Sequence, residues 1–212
     1  MSMKQILCFG DSNTFGSIPG GGRHGRAVRW PARLQTLLGN DYYVIEEGLG
    51  GRTTVWEDPL EANRCGLAAL PFGLQSHRPL DLVVLSLGTN DCKSHFQAPA
   101  AAIAKGMGRL CSLVKTYDYG AGYPVPQILV VAPIHIKEEI CRDPFSSFDQ
   151  HAAAKSRELA ALYKIIAGDY HAMFLDAAEW AKASDNDCLH MEAAEHGKLA
   201  SAIYEMIRNN VR

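Results

Sequence analysis

The chain has 212 residues, with 21 Lys and Arg against 23 Asp and Glu, and a formal net charge of −2. It lacks the basic surplus that binds nucleic acid or anionic lipid, and it lacks any run of about 20 apolar residues that would span a membrane. Length and composition therefore favour a single domain over residues 1–212, with neither nucleic acid nor membrane as its partner.

The cysteines and the first residues bear on the cellular compartment. No two cysteines have Cys-x-x-Cys spacing, so they indicate neither a zinc site nor a disulfide framework. The N-terminus runs straight into a short apolar segment and lacks the longer apolar region and cleavage site of a signal peptide. We expect a reduced, cytoplasmic protein. The cysteines are Cys8, Cys65, Cys92, Cys111, Cys141 and Cys188.

Short apolar segments alternate with segments of helical periodicity along the chain. The predicted strands are Ile6-Leu7-Cys8 and residues 43–45, 81–87, 127–132 and 173–176. The predicted helices cover residues 30–38, 64–76 with a break at Pro71, 100–117, 148–167 and 192–212. Nearly unbroken apolar strands are typical of a parallel sheet covered on both faces. The sequence therefore predicts an α/β fold, a three-layer α/β/α sandwich with a mainly parallel five-stranded sheet.

The first predicted strand leads into Gly10-Asp11-Ser12-Asn13. Open α/β folds bind their ligands at the carboxyl ends of the strands, so the Ser12 hydroxyl is expected at the functional edge of the sheet. A serine hydroxyl is a weak nucleophile unless a base removes its proton. Ser12 is therefore the first candidate nucleophile, and it needs a histidine from elsewhere in the chain.

Of the eight histidines, His190 has the most informative position. It ends Asp187-Cys188-Leu189-His190, between the last predicted strand and the last predicted helix, again at the functional edge. An acid three residues before a histidine can accept the imidazole N–H and fix its tautomer. The pattern is common, but its position favours His190 as the base and Asp187 as the orienting acid. Surface or packing roles are expected for His24, His77, His95, His135, His151 and His171.

Hydrogen-bond donors are expected near Ser12, because attack on an ester places negative charge on the carbonyl oxygen. Gly88-Thr89-Asn90-Asp91 follows the third predicted strand and brings the Asn90 amide to the same edge. The loop after the second strand contains Gly51, whose backbone N–H is accessible because glycine has no Cβ. Taken alone, Asn90 is more readily explained as a turn or cap residue and Gly51 as a loop glycine.

These segments together resemble the ordered blocks of the GDSL or SGNH hydrolase superfamily. The matching blocks are Gly10-Asp11-Ser12-Asn13, residues 48–54, Gly88-Thr89-Asn90-Asp91 and residues 187–190. The match covers nearly the whole chain, and residues 6–16, 44–54 and 80–93 most resemble the small bacterial arylesterase and acyltransferase branch. The resemblance implies the flavodoxin-like fold of SGNH hydrolases.

The resemblance also implies a role for each matching residue. Ser12 would be the nucleophile, His190 the general base and Asp187 the acid that orients it. The oxyanion hole would consist of the backbone N–H groups of Ser12 and Gly51 and the side-chain amide of Asn90. Structural rather than catalytic roles follow for three further matching residues, which are Asp11, Asp91 and His196.

Two positions depart from the pattern of the superfamily. Cys188 follows the acid where many members have glycine, which would alter the turn and bring a thiol to the entrance of the site. Glu46-Glu47 stands where members commonly have asparagine, a trait that resembles the arylesterase branch. Neither departure removes a reacting group.

The function implied by the resemblance is that of a serine esterase acting on short-chain, chiefly acetyl, esters through an acyl-enzyme, with some acyl transfer to alcohols. It requires no cofactor and no metal, and the branch suggests a homo-oligomer with a small-molecule ester as substrate. Residues 133–148 follow the fourth strand and are expected to overhang the site. Three apolar side chains of this segment are expected as its walls, or else as ordinary packing: Ile136, Phe145 and Phe148.

Several different functions remain open for this sequence. Within enzymes, a carbohydrate deacetylase or a thioesterase could use the same triad. A flavodoxin-like module could instead hold a phosphate at residues 12–16, although it would leave the Asn90 and His190 segments unexplained. A carbohydrate-binding protein without catalysis would retain the fold, since fold does not fix function.

Overall fold

The computed structural model describes residues 3–143 and 145–211. Five parallel strands form one sheet in the order β2-β1-β3-β4-β5, which confirms the predicted fold class. The fourth and fifth strands have the predicted bounds, and the others differ from the predicted ones at their ends. The strands are β1 (Lys4–Gly10), β2 (Tyr42–Gly48), β3 (Leu82–Ser86), β4 (Gln127–Ala132) and β5 (Met173–Asp176).

Alternate residues of the central strands enter two separate hydrophobic cores, one on each face of the sheet. In β1, Leu7 and Phe9 belong to the first core, whereas Ile6 and Cys8 belong to the second. The same alternation recurs in β3 and β4. Since side chains of a strand point to opposite faces in turn, a strand buried on both faces needs an apolar residue at every position.

Helices cover both faces and complete the three layers. Apolar residues of α3, α4 and α5 pack in the first core, and those of α2 and α6 pack in the second. The helices are α1 (Ser12–Phe15), α2 (Trp30–Leu38), α3 (Gly66–His77), α4 (Ala100–Thr116), α5 (Ala152–Asp169) and α6 (Ala193–Asn210). The α6 helix ends at Asn210, before the predicted end at Arg212, because Val211 has an extended backbone; Arg212 itself lies outside the described residues. No helix within residues 3–143 and 145–211 has the length and apolar composition needed to cross a membrane.

The predicted break at Pro71 is wrong, because α3 continues through this residue. A proline in a helix interior costs about 3 kcal/mol, since it removes a hydrogen bond and crowds the preceding turn. Leu70 and Leu74 on the same helix are fully buried in the first core. Burial of each such side chain stabilises by about 1.5–3 kcal/mol, which offsets the cost of the proline.

Candidate active site

The β1 strand delivers Ser12 to the carboxyl edge of the sheet as the first residue of the short helix α1. Asp11 caps this helix, because its side chain accepts a hydrogen bond of 3.0 Å from the backbone N–H of Asn13. The Ser12 carbonyl accepts from the N–H of Gly16 at 2.8 Å. The backbone on both sides of Ser12 is therefore fixed, and the residue is 6% exposed.

The turn over residues 187–190 holds the candidate acid and base together. One carboxylate oxygen of Asp187, Oδ1, accepts from the backbone N–H groups of Leu189 at 3.1 Å and His190 at 2.9 Å. The other, Oδ2, lies 2.7 Å from His190 Nδ1. With Nδ1 as the donor, Nε2 of His190 is left as the proton acceptor.

Asp187 is held in its ionised form by these contacts. Burial by itself raises the pKa of the carboxyl, but the hydrogen bonds from His190 and Leu189 outweigh it and hold the pKa well below its usual range. A permanent carboxylate beside Nδ1 stabilises the imidazolium that forms when the histidine takes a proton.

Asn13 connects the helix of the candidate nucleophile to the loop of the candidate base. Its side-chain Oδ1 accepts from the backbone N–H of Met191 at 3.0 Å, and its Nδ2 donates to the carbonyl of Leu189 at 3.3 Å. These two backbone groups lie on either side of His190. This amide side chain therefore helps to set the position of the candidate base relative to Ser12.

Gly51 and Asn90 come from the loops after β2 and β3, as the sequence predicted. The Asn90 amide donates one N–H to the carbonyl of Arg52 at 3.1 Å, which leaves its second N–H for a substrate. Gly51 has a φ of +76°, a left-handed conformation that favours glycine. The Arg52 guanidinium donates to the Gly10 carbonyl at 2.8 Å and so ties this loop to the end of β1.

Asp11 and Asp91 hold loops beside the site. The Asp91 carboxylate accepts from the backbone N–H of Thr54 at 2.9 Å and also from its hydroxyl. Burial raises the pKa of Asp91 to about 6, although the Thr54 hydrogen bonds lower it in part. Burial likewise raises the pKa of Asp11 to about 6 against the lowering effect of its hydrogen bond from Asn13.

A cavity of about 620 Å³ brings most of the candidate residues together. Ser12, Gly51, Asn90 and His190 all line it. Asp187 lines a neighbouring cavity of about 550 Å³ instead, behind the histidine. The apolar lining of the larger cavity consists of Phe15, Leu49, Ile140, Phe148 and Leu189, and its charged lining consists of Glu61, Arg64 and Lys93.

Of the three predicted walls, the structure places one in this cavity. Phe148 lines it, in the segment that precedes α5. Ile136 is 2% exposed and packs in the first core instead, so its alternative role in packing is the right one. Phe145 is 94% exposed and does not appear among the residues that line the cavity. Pro144, which belongs to the same predicted segment, lies outside the described residues.

The turn around Cys188 keeps its hydrogen bonds despite the missing glycine. Cys188 has a φ of +63°, the backbone region in which glycine is the usual residue. This explains the family preference at the position and shows that the turn forms with cysteine as well. Cys188 is buried and lines the same cavity as Asp187 rather than the cavity of Ser12.

His196 lies in the interior near His190 and has no partner for either ring nitrogen among the described side chains. Its ring packs edge-on against His24, with 5.2 Å between the centroids. Burial, together with the charges of His24 and Arg33, lowers the pKa of His196 to about 3. The neutral ring therefore acts in packing, which agrees with the structural role expected from the sequence.

Sequence reasoning missed a charged group beside the cavity. The ammonium of Lys93 lies 2.8 Å from the buried carboxylate of Asp58, and His95 Nε2 lies 3.3 Å from the other oxygen of that carboxylate. These residues are more than 30 positions apart along the chain. No local pattern marks such a pair, so only the folded structure reveals it.

The parallel five-stranded sheet with helices on both faces is the fold of the SGNH hydrolases. The model of the GDSL-like lipase/acylhydrolase family matches residues 8–197, which is most of the chain. The protein therefore belongs to the GDSL-like lipase/acylhydrolase family, as the resemblance indicated. A comparison with functionally curated proteins gave no match.

Solved structures of esterases superpose on nearly the whole chain. A carbohydrate acetylesterase family member from Sinorhizobium meliloti is 36% identical, with a TM-score of 0.92 and 98% of each chain covered. A further carbohydrate acetylesterase from the same organism is 39% identical, with a TM-score of 0.91 and coverage of 97% of this chain and 99% of its own. The aryl esterase of M. smegmatis is 37% identical, with a TM-score of 0.89 and the same coverage.

Proposed function

We propose that this protein is a serine esterase that hydrolyses short-chain, chiefly acetyl, carboxylic esters through an acyl-enzyme. The observation that supports this most directly is the shared cavity of Ser12, Gly51, Asn90 and His190, with Asp187 hydrogen-bonded to His190 from behind. Nucleophile, base, orienting acid and oxyanion donors are the groups that acyl transfer requires.

In the first half of the reaction, Nε2 of His190 takes the hydroxyl proton as the Ser12 oxygen attacks the ester carbonyl. The negative charge on the carbonyl oxygen is stabilised by the N–H groups of Ser12 and Gly51 and by the free amide N–H of Asn90. The Asp187 carboxylate stabilises the imidazolium meanwhile. His190 then gives the proton to the departing alcohol, which leaves the acyl group on Ser12.

In the second half, His190 takes a proton from water as the water oxygen attacks the acyl carbonyl, and returns it to the Ser12 oxygen as that bond breaks and the carboxylic acid leaves. An alcohol that binds in place of water would receive the acyl group instead, which gives acyl transfer by the same steps. No step needs a redox group, since neither substrate nor product changes oxidation state.

Carbohydrate deacetylation is the second candidate, because two of the similar structures are carbohydrate acetylesterases by name and a charged wall lines the cavity. A thioesterase and a non-catalytic carbohydrate-binding protein have weaker support. A phosphate-binding module would leave the Asp187–His190 pair and the Asn90 amide without a use. The expected homo-oligomer and the cytoplasmic location stay predictions.

Kinetics of Ser12→Ala with p-nitrophenyl acetate, butyrate and hexanoate test the proposal. The wild type should prefer acetate, and the variant should lose about a thousandfold or more in kcat, because no other group supplies the nucleophile. Ser201→Ala, which removes a serine from the exposed face of α6, is the matched control and should keep wild-type activity. A Ser12→Ala variant of near wild-type activity would contradict the assignment.

A further inference from the structure

One wall of the active-site cavity is charged, although the proposed acetyl group has only a methyl to place against it. Glu61, Arg64 and Lys93 line this wall, and Asp58 lies behind Lys93. The Asp58 side chain is fully buried, and 7% of the Lys93 side chain is exposed. A methyl group gains nothing from such neighbours, so the wall matches the alcohol half of the ester better than the acyl half.

A buried ion pair such as Asp58–Lys93 is an unusual component of a cavity wall. A buried ion pair rarely stabilises a fold more than apolar residues of the same size would, because both charges lose their hydration. Here the pair is held firmly, since the Asp58 carboxylate also accepts from the backbone N–H of Leu60 at 2.9 Å. Burial raises the pKa of Asp58, but the Lys93 and Leu60 hydrogen bonds outweigh it and hold the pKa below its usual value, which keeps the carboxylate ionised.

The charged wall presents both hydrogen-bond donors and hydrogen-bond acceptors to the cavity. Among the described residues, the Lys93 ammonium has one hydrogen bond, to Asp58, while the Glu61 carboxylate lies 3.9 Å away. An ammonium has three N–H donors, so donors remain for a bound molecule. Arg64 Nε donates to Glu61 Oε2 at 3.1 Å, which leaves the second Glu61 oxygen as an acceptor.

The charges of this wall cancel, since Asp58 and Glu61 balance Lys93 and Arg64. A charged substituent on the substrate would therefore gain little net attraction, whereas a hydroxyl group could donate to Glu61 and accept from Lys93 or Arg64. The wall also lies beside the proposed oxyanion hole. A Cβ built on Gly51 would lie 2.3 Å from Glu61 Oε2 and 2.9 Å from Arg64 Nε.

We propose that Glu61, Arg64 and Lys93 form a subsite that binds hydroxyl groups on the alcohol half of the ester. The preferred substrate is then an acetate ester of a polyhydric alcohol such as a sugar, rather than a simple aryl acetate. Asp58 positions the Lys93 ammonium in this subsite. The inference rests on the proposed function, because it concerns the same cavity and the same reaction.

The test compares two acetates that differ in their hydroxyl groups, methyl 6-O-acetyl-glucoside and cyclohexylmethyl acetate, with acetate release as the readout. The variants are Glu61→Gln, Arg64→Gln and the double variant Asp58→Asn with Lys93→Met. The first two side chains are 47% and 26% exposed, so these variants should fold. The double variant removes both buried charges together and leaves neither unpaired.

Wild type should prefer the glucoside in kcat/KM. Each variant should lower the ratio of glucoside to cyclohexylmethyl acetate by about tenfold, because it weakens or removes a hydrogen bond between a charged side chain and a substrate hydroxyl. Glu205→Gln and Arg208→Gln are the controls, since this exposed pair on α6 has the same three-residue spacing and a distance of 3.9 Å. They should leave the ratio within about twofold of wild type.

Two results would overturn the inference. The first is a wild type that hydrolyses cyclohexylmethyl acetate as well as the glucoside, and the second is a ratio that the variants shift no more than the controls do. In both cases hydrolysis would still depend on Ser12, and the proposed esterase function would stand. If neither ester were hydrolysed in a Ser12-dependent way, the esterase function would fail and this inference would fail with it.

Discussion

The side-chain oxygen of Asn13, the residue after the proposed nucleophile, accepts a 3.0 Å hydrogen bond from the backbone N–H of Met191, the residue after the proposed base. Together with the bond from Asn13 Nδ2 to the Leu189 carbonyl, this contact spans His190 on both sides. The two partners are 178 positions apart along the chain. The Asn13 side chain therefore helps to set the position of His190 relative to Ser12, beside a second connection in which the Gly20 N–H donates to Asp187 at 3.2 Å.

Asn13→Ala removes both contacts and should lower kcat by roughly tenfold to a hundredfold, because small displacements of catalytic groups are costly. The loss should appear mainly in kcat rather than in KM, since Asn13 is not among the residues that line the cavity. Steady-state kinetics beside a thermal melt separate this effect from unfolding. Asn210→Ala, which removes an exposed amide at the end of α6, should behave as wild type. A folded Asn13→Ala variant with wild-type kcat would show that the bridge does not position His190.

Asn90→Ala should lower kcat by about 10²–10³-fold with a small change in KM, because the Asn90 amide is proposed to bind the oxyanion of the transition state. The ground-state carbonyl gains less from this donor than the oxyanion does. Steady-state kinetics with p-nitrophenyl acetate give both constants. An effect confined to KM would assign Asn90 to substrate binding alone.

Gly51→Ala should lower both activity and the melting temperature. The new Cβ would meet Glu61 and Arg64 at 2.3 and 2.9 Å, and alanine at a φ of +76° is strained in any case. Gly50→Ala is a close control, because a Cβ at that position has nothing within 4 Å and the φ is not positive. We expect the loss of kcat at Gly51 to exceed that at Gly50 by about tenfold or more. Equal effects at the two positions would argue against a special role for the Gly51 backbone.

Asp91 should make the protein less stable as pH rises. Burial raises its pKa from 3.8 to about 6, so the folded state binds the proton more tightly than the unfolded state does. The cost of ionisation is thus absent below about pH 4 and fully present above about pH 6, and the free energy of unfolding falls across this window.

Asp91→Asn removes the titration. The variant should therefore gain stability relative to wild type as pH rises, and the difference in their free energies of unfolding should increase by roughly 2–3 kcal/mol between pH 4 and 7. Urea melts at several pH values measure this difference. Burial also raises the pKa of Asp11 to about 6. Since Asp11 titrates in both proteins, its contribution to the difference in stability largely cancels. Asp169→Asn, which makes the same substitution at the exposed end of α5, is the matched control. A difference that stays flat with pH would contradict the raised pKa.

The fold and the meeting of Ser12, Gly51, Asn90 and His190 could be predicted from the sequence because both follow from local patterns. Unbroken apolar runs mark buried parallel strands, and the carboxyl ends of such strands meet at one edge. Any polar residue directly after a strand is thereby brought to the site. No side-chain contact has to be known for this inference.

The features that sequence reasoning missed depend on tertiary contacts. The Asn13 bridge and the Asp58–Lys93 pair join residues far apart in the chain, and neither has a spacing that marks it. At Pro71 the sequence instead predicted a feature that is absent. Proline usually breaks a helix, but α3 continues through this residue because its leucines pack in the core. Ile136 shows the same limit. The sequence of a loop does not reveal whether an apolar residue faces a binding site or the core, and Ile136 packs in the core.

Covalent labelling with a fluorophosphonate, followed by peptide mass spectrometry, tests most directly whether Ser12 is the nucleophile. We expect one adduct per chain, on Ser12, and a labelling rate that drops sharply in His190→Ala because the base is lost. Labelling at another residue, or an active enzyme that does not react at Ser12, would contradict the proposed mechanism.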